Sequence, residues 1–390
     1  MLLVLPTTTY RAADFLKAAA ALGASVVVAT EGEPPLLAER AVRVDLDDPE
    51  AAARAMVDRD DRLPVDAVVA VDDRGVLPAA HAALKLGLPH NPPDAVAATR
   101  DKAKMRALLA AGEVSQPDFE LLDDALPTLP YPLVLKPLDR SGSTGVIRVD
   151  DADAAGAAMA RIRTIVGDER APLLAERFVP GVEVSLEGLL RGGALEVLAV
   201  FDKPDQLDGP YFEETIYVTP SRVRRDVLDE VERVIRDGCR ALGLTEGPVH
   251  AEARIHDGVV VLIEVAARSI GGLCSRALTF GAGVSLEELI LRHALGLPLD
   301  GIERAAGASG VMMLPIPKSG VLREVGGREE ARSVPGIGGL EITIPPGREV
   351  RTLPEGDRYL GFLFATGDTA SDVERSLREG AARLEVTIDS

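Results

Sequence analysis

The chain begins with an apolar run, MLLVL, then RAADFLKAAAALG, in which apolar residues recur at helical spacing, then a second apolar run, ASVVVAT. Unbroken Leu and Val predict strands buried on both faces, and the period near 3.6 predicts an amphipathic helix that ends on Gly23. The alternation repeats: PEAAARAMVDRD reads as helix, VDAVVAV as strand, and GVLPAAHAALKLG as a helix with an internal proline. Strands and helices taken in turn predict a βαβ parallel sheet over residues 1–95. The turn after the first strand, PTTTYR, lacks G-x-G-x-x-G. The block is therefore Rossmann-like in shape without the dinucleotide fingerprint.

From 96 to 300, polar residues intrude on the apolar pattern. ATRDKAKMRALLAAG is an N-capped helix closed by Gly112, with Lys102 and Arg106 on one face at i, i+4. YPLVLKPL is an apolar strand interrupted by Lys136 just before Pro137. DRSGSTGV follows, and its Ser141, Gly142, Ser143, Thr144 and Gly145 predict a mobile loop whose amides suit a phosphate. An exposed helix lysine, an edge strand and a plain hairpin are the bland alternatives for these three. G-x-x-x-x-G-K-[ST] is absent, so this is not a P-loop. LLAERFVPGVEVSLEGLL carries a strand through Glu176, Phe178 and Val179 to a Pro-Gly turn, after which Glu183 starts another strand. Residues 301–390 hold short strands in GVMMLPIPKSGVLREV, GIGGLEITIPPG and RYLGFLFATG, then one amphipathic helix, DTASDVERSLREGAARL. These predict a small α+β domain that walls a substrate pocket.

The run HAEARIHDGVVVLIEVAARSIGG places Glu252 and Glu264 in two β-like segments. A three-residue loop, His256-Asp257-Gly258, would set Glu252 opposite Leu262 and Glu264 opposite His250. The two glutamates then share a face as diagonal neighbours, roughly 7–8 Å apart along the backbone. A two-residue Asp-Gly turn would instead put them on opposite faces. On one face, two bare carboxylates call for a cation; the alternative is a solvated hairpin face.

Composition narrows the class. The chain has 390 residues, 46% of them hydrophobic and 27% charged, which predicts two or three soluble domains. Its net charge of −19 argues against nucleic-acid or anionic-membrane partners. Two cysteines make neither a disulfide framework nor a metal cluster. MLLVLP has no basic region before its proline, so no signal peptide and a cytoplasmic location are expected.

Helix lysine, strand lysine, glycine loop, E-x-F-V-P-G-x-E, and two glutamates before Arg268, in that order, resemble the ATP-grasp superfamily over nearly the whole chain. HAEARI, EVAARSIGG and FDKPDQLDGPYFEETIYVTPS are most similar to the L-amino-acid (dipeptide) ligase branch of carboxylate–amine ligases. The resemblance implies a mixed α/β and α+β, three-part architecture: a Rossmann-like preATP-grasp domain (1–95), an ATP-grasp domain (96–300) with a lid at about 115–178, and a C-terminal domain (301–390). It implies that Lys102 and Lys136 contact ATP phosphates, that the 140–145 loop closes over them, and that Glu176 to Val179 read adenine. Glu183 would hold the ribose, Glu252 and Glu264 would bind Mg²⁺ or Mn²⁺, and Arg268, with Lys136, would act on the reacting groups. Many ATP-grasp enzymes carry Asn two residues after the second metal glutamate; here Ala266 leaves one ligand fewer. The implied partners are a small carboxylate and a small amine, with a homodimer as the candidate assembly.

The chemistry needs such a set. Carboxylate oxygen leaves poorly, so amide formation requires phosphorylation to an acyl phosphate, and the transferring phosphoryl needs charge neutralisation and in-line positioning. Three other readings remain: a carboxylase-like or purine-pathway ATP-grasp enzyme, a non-catalytic nucleotide sensor, and a glycosidase-like carboxylate pair. The last fits poorly with 3% aromatic residues. No G-x-S-x-G supports a serine hydrolase.

Overall fold

The structure, a computed structural model, describes residues 1–33, 40–59, 63–299 and 303–389. The expected boundary at 300/301 and the last residue of the helix expected over 49–60 lie outside them.

Strands Ala41–Arg43, Val27–Thr30, Leu2–Val4 and Val68–Ala70 stand in that order, all parallel. Alternate residues of the first apolar run serve opposite faces. Leu2 and Val4 meet the alanines of helices Pro49–Val57 and Asp73–Leu86, while Leu3 and Leu5 meet Phe15 and Ala18 of helix Ala12–Ala21. Both faces are covered, so polar residues never enter the run. A Cβ at Gly75 would lie 2.8 Å from the Val4 carbonyl. Glycine there lets helix Asp73–Leu86 sit close on the sheet, with its first residue, Asp73, at the sheet edge. Arg11, 2% exposed, ties this domain to the next: it donates to Ile270 O (3.0 Å) and Ser269 Oγ (2.9 Å) and pairs with buried Glu287 (3.1 Å).

Residues 119–177 form a four-stranded antiparallel sheet in the order Phe119–Leu122, Leu173–Arg177, Leu133–Pro137, Ile147–Val149. Helix Ala152–Val166 covers one face, burying Leu133, Leu135, Leu173 and Ala175 against Ala155, Ala158 and Ile162. Because side chains alternate along a strand, Lys136 and Glu176 point to the opposite face. Val134 pairs with Glu176 and Lys136 with Leu174 in the ladder, which keeps the two charges within reach.

The largest sheet has eight strands: Val259–Ala266, Gly247–His256, Val182–Arg191, Ala194–Lys203, Ile216–Thr219, Ala308–Leu314, Gly361–Gly367 and Ile337–Ile342. The last three belong to the C-terminal region, so its core (Leu314, Leu340, Leu363, Val373) is continuous with Ile216 and Val218. A second sheet, Glu349–Val350, Gly320–Gly326 and Glu385–Asp389, completes that region.

The hairpin register differs from the expectation. His256 pairs with Val259, so the loop is the two-residue Asp257-Gly258, both at positive φ (49° and 78°). Such a turn fits strand twist better than a three-residue loop. A β-bulge then shifts the ladder between Ala253 and Glu252, and Glu252 faces Glu264 directly, while His250 faces Ala266. The shared face holds, but one extra residue, Ile263, produces it rather than the loop.

Candidate active site

One cleft runs between the four-stranded sheet and the eight-stranded one. Lys102, Lys136, Ser141, Gly142, Ser143, Glu176, Phe178, Val179, Glu183, Glu252 and Glu264 all line it. Thr144, Gly145 and Arg268 do not.

Its two ends have opposite charge. At one end the buried Glu176 carboxylate receives two cations: Lys136 Nζ at 2.6 Å and Arg106 Nε at 2.7 Å. Burial alone would raise the Glu176 carboxyl, but the two cations outweigh it and hold it at about 2. Lys136 moves down for the same arrangement seen from the other side: burial lowers its ammonium, and Arg106 repels it while sharing the Glu176 carboxylate. Two cations on one carboxylate leave positive charge unmet. Lys102 adds to it, its ammonium bound to the Arg140 carbonyl at 2.5 Å and 3.9 Å from Glu264. Glu176, expected to read adenine, therefore spends its carboxylate on these cations. Phe178 and Val179 are placed differently: the Phe178 ring lies 4.3 Å from the Arg148 guanidinium and 5.2 Å from that of Arg254, and the Val179 carbonyl accepts from Arg254 at 2.6 Å.

At the other end, Lys203 Nζ donates to Glu183 (2.7 Å), Glu252 (2.8 Å) and Glu214. Glu183 also accepts from Arg254 Nε at 2.8 Å. Here burial lifts the Glu214 carboxyl to about 7, only partly offset by Lys203, because Glu252 and Glu183 repel it. Carboxylates outnumber cations. Glu252 uses one oxygen for Lys203 and His250, Glu264 approaches only Lys102, and each keeps its second oxygen unbonded among the described residues. Two facing carboxylates with unbonded oxygens fit a hard divalent cation. A tighter group, Glu183, Glu214 and Glu252, has ligand atoms within 4.8 Å of one another, but Lys203 already sits on all three.

The loop after Lys136 divides its work. Ser141, Gly142 and Ser143 face the cleft, whereas Thr144 Oγ1 donates to Gly356 O (3.0 Å) and Gly145 N to Pro354 O (2.9 Å). Gly142, Ser143 and Gly145 all have positive φ, the left-handed backbone of a tight, glycine-dependent turn. Arg268 is held by Asp73: Nη2 donates to Oδ2 at 2.9 Å and Nε lies 2.8 Å from Oδ1. Both side chains are half-buried, and the Asp73 carboxyl, though burial lifts it, is brought well below the ordinary range by Arg268. Arg268, which the resemblance puts on the reacting groups, is thus placed in an ion pair with Asp73 and outside the cleft lining.

Lys203, Glu214, Arg254, Glu187 and His250 carry roles the sequence reading did not assign. His250 lies between Glu187 and Glu252; burial would lower it, yet the Glu187 carboxylate lifts it to about 9. Glu187 also accepts from Ile270 N at 3.0 Å. One pattern marked Lys203 in advance: like VLK before Pro137, VFDK runs an apolar strand into a buried lysine before Pro204.

Comparison with known proteins bears on the fold and the family. Residues 129–277 match the family described as ATP-grasp domain, 16–90 the ATP-grasp N-terminal domain, and 312–389 the L-amino acid ligase C-terminal domain 2. The chain belongs to the ATP-grasp superfamily. It superposes on an L-amino acid ligase from Bacillus licheniformis with a TM-score of 0.85 at 26% identity, covering 100% of this chain and 99% of that one. It is 28% identical to an alanine–anticapsin ligase of Bacillus amyloliquefaciens over 59% of this chain and 54% of that protein. A D-alanine–D-alanine ligase of Cupriavidus pinatubonensis is 26% identical over 55% and 70%. The chain thus spans about half the length of the alanine–anticapsin ligases it matches.

Proposed function

We propose that the chain is an ATP-dependent carboxylate–amine ligase that joins two small amino-acid-like substrates through an amide bond. The observation that carries this reading is the pair of oppositely charged ends in one cleft. Surplus ammonium and guanidinium charge at Lys102, Lys136 and Arg106 suits phosphate oxygens, and surplus carboxylate at Glu252 and Glu264 suits the divalent cation that accompanies them. Mg²⁺ or Mn²⁺ held there neutralises phosphate charge and fixes phosphate geometry.

Lys136 and Lys102 bind and orient the phosphates, and the amides of Ser141–Ser143 cover them. Phe178 and Val179 border the base, and Glu183 the ribose. The carboxylate substrate attacks the γ-phosphorus and ADP leaves. The amine then attacks the acyl carbon, phosphate leaves with the C–O bond electrons, and the amine loses a proton. The cleft walls exclude water that would hydrolyse the acyl phosphate. Support for amino-acid-like substrates comes from the relatives' names and the match of the C-terminal domain.

The test is phosphate release from ATP and Mg²⁺, screened over pairs of amino acids, with mass detection of the product. Turnover requiring both a carboxylate and an amine is expected. ADP formation without either, or with bicarbonate in place of an amino acid, overturns the reading.

A further inference from the structure

A second cavity of about 320 Å³ lies between strand Val68–Ala70, the start of strand Gly247–His256 and helix Leu286–Ala294, and no residue lines both it and the nucleotide cleft. Its volume falls at the low end of small-molecule pockets, roughly 300–1,000 Å³. The wall is aliphatic, with Val69, Val76, Ile290 and Ala294, but five polar side chains, those of His90, Asn91, Arg191, Glu246 and His293, are set into it. His293, its side chain 8% exposed, has an Nε2 with no hydrogen-bond partner. Its ring lies against the Leu190 main chain, and a ring proton on Nδ1 would leave the lone pair on Nε2. Glu246 Oε2 lies 3.9 Å from that nitrogen, while Oε1 is occupied by Gly192 N. His90 directs Nδ1 at the Asn91 carbonyl (3.2 Å), so its Nε2 is likewise an acceptor. Arg191 also lines the cavity and forms no ion pair with a described residue.

The geometry points to a ligand that donates hydrogen bonds at one end and carries an anion at the other. We propose that this cavity is a second ligand site, for an α-amino acid with an aliphatic side chain. Its ammonium would lie between His293 Nε2 and Glu246 Oε2, its carboxylate on Arg191, and its side chain against Val69, Val76 and Ile290. Burial lowers both His90 and His293, which keeps the two rings neutral and accepting at neutral pH. An unpartnered buried imidazole nitrogen is costly unless a ligand uses it.

The proposal needs no turnover to test, so its failure is separable from failure of the ligase reading. The chain has only five histidines, and His250 reports on the nucleotide cleft. With the full chain labelled with ¹⁵N-histidine and no nucleotide present, L-leucine should shift the His90 and His293 ring resonances together and saturably. L-Leucinamide and 4-methylpentanoate, each lacking one charge, should bind at least tenfold more weakly. Arg191→Ala, at an exposed position, should raise the apparent Kd for L-leucine about tenfold, the scale of one charge-assisted hydrogen bond. A shift confined to His250, equal binding of the two control compounds, an unchanged Kd in Arg191→Ala, or no shift up to the solubility limit would each overturn it.

Discussion

Glu264 and Arg268 sit four residues apart on one chain segment, yet they answer to different neighbours. Glu264 is half-exposed in the cleft, and among the described residues its one ion pair is with Lys102. Glu264→Ala removes no core contact, so folding measured by circular dichroism should be unchanged while ADP release falls at least about 10²-fold. A wild-type rate at low magnesium would remove Glu264 from the metal site. Arg268 is half-buried against Asp73, with two guanidinium nitrogens near its two carboxylate oxygens, a placement that lysine's single ammonium cannot reproduce. Arg268→Lys is expected to lower turnover about 10²-fold while nucleotide affinity holds. Asp73→Asn should show the same split, since it frees the guanidinium rather than deleting it. Nucleotide affinity falling in step with turnover would make the pair part of the nucleotide site or of the scaffold.

The bulge at Ile263 has its own support. Arg106, with no exposed surface, donates to the Leu262 carbonyl at 3.3 Å and the Ile263 carbonyl at 2.5 Å while it pairs with Glu176. One guanidinium thus takes up carbonyls at the displaced ladder and helps form the positive end of the cleft. Arg106→Met should cost about 3–5 kcal/mol in denaturant unfolding, the range for stripping one partner from a buried ion pair. Amide exchange at residues 260–264 should rise with it; protection there equal to wild type would mean the bulge stands without Arg106. The glycine loop, which composition marks as mobile, is moored at one side by Thr144 and Gly145. Thr144→Val should raise exchange in residues 141–146 and 352–357 together, and an ATP analogue should lower exchange at 141–143. A rise on only one of the two segments would show that they move independently.

Across the whole molecule, domains are joined by buried charge as well as by apolar surface. Glu176 has a folded-state carboxyl near 2, below its ordinary value of 4.5. Below the ordinary value the unfolded chain binds more protons than the folded one, so Glu176 contributes stability above pH 4.5 that is lost as pH falls toward 2. Asp73 acts in the same direction. Unfolding free energy should therefore drop across that window, and Glu176→Gln, though less stable at neutral pH, should show a shallower drop. Equal slopes for the two proteins would contradict the assignment.

Much was legible in local pattern. Unbroken Leu-Val runs marked the parallel sheet because both of its faces are covered, and Lys136, interrupting an apolar strand, marked the cleft because burying an ammonium needs a specific partner. The partners themselves were not legible. Arg106 meets Glu176 across 70 residues, Arg268 meets Asp73 across 195, and Thr144 meets Gly356 across 212. The face shared by Glu252 and Glu264 was inferred through a loop the chain does not form; a bulge, which depends on what receives its carbonyls, restored it. Strand and helix periods follow from backbone geometry acting over a few residues, so the sequence alone determined the elements, their order and the kinds of residue that gather at the site. Which cation neutralises which carboxylate depends on distances between elements far apart in the chain, and those only the folded packing decided.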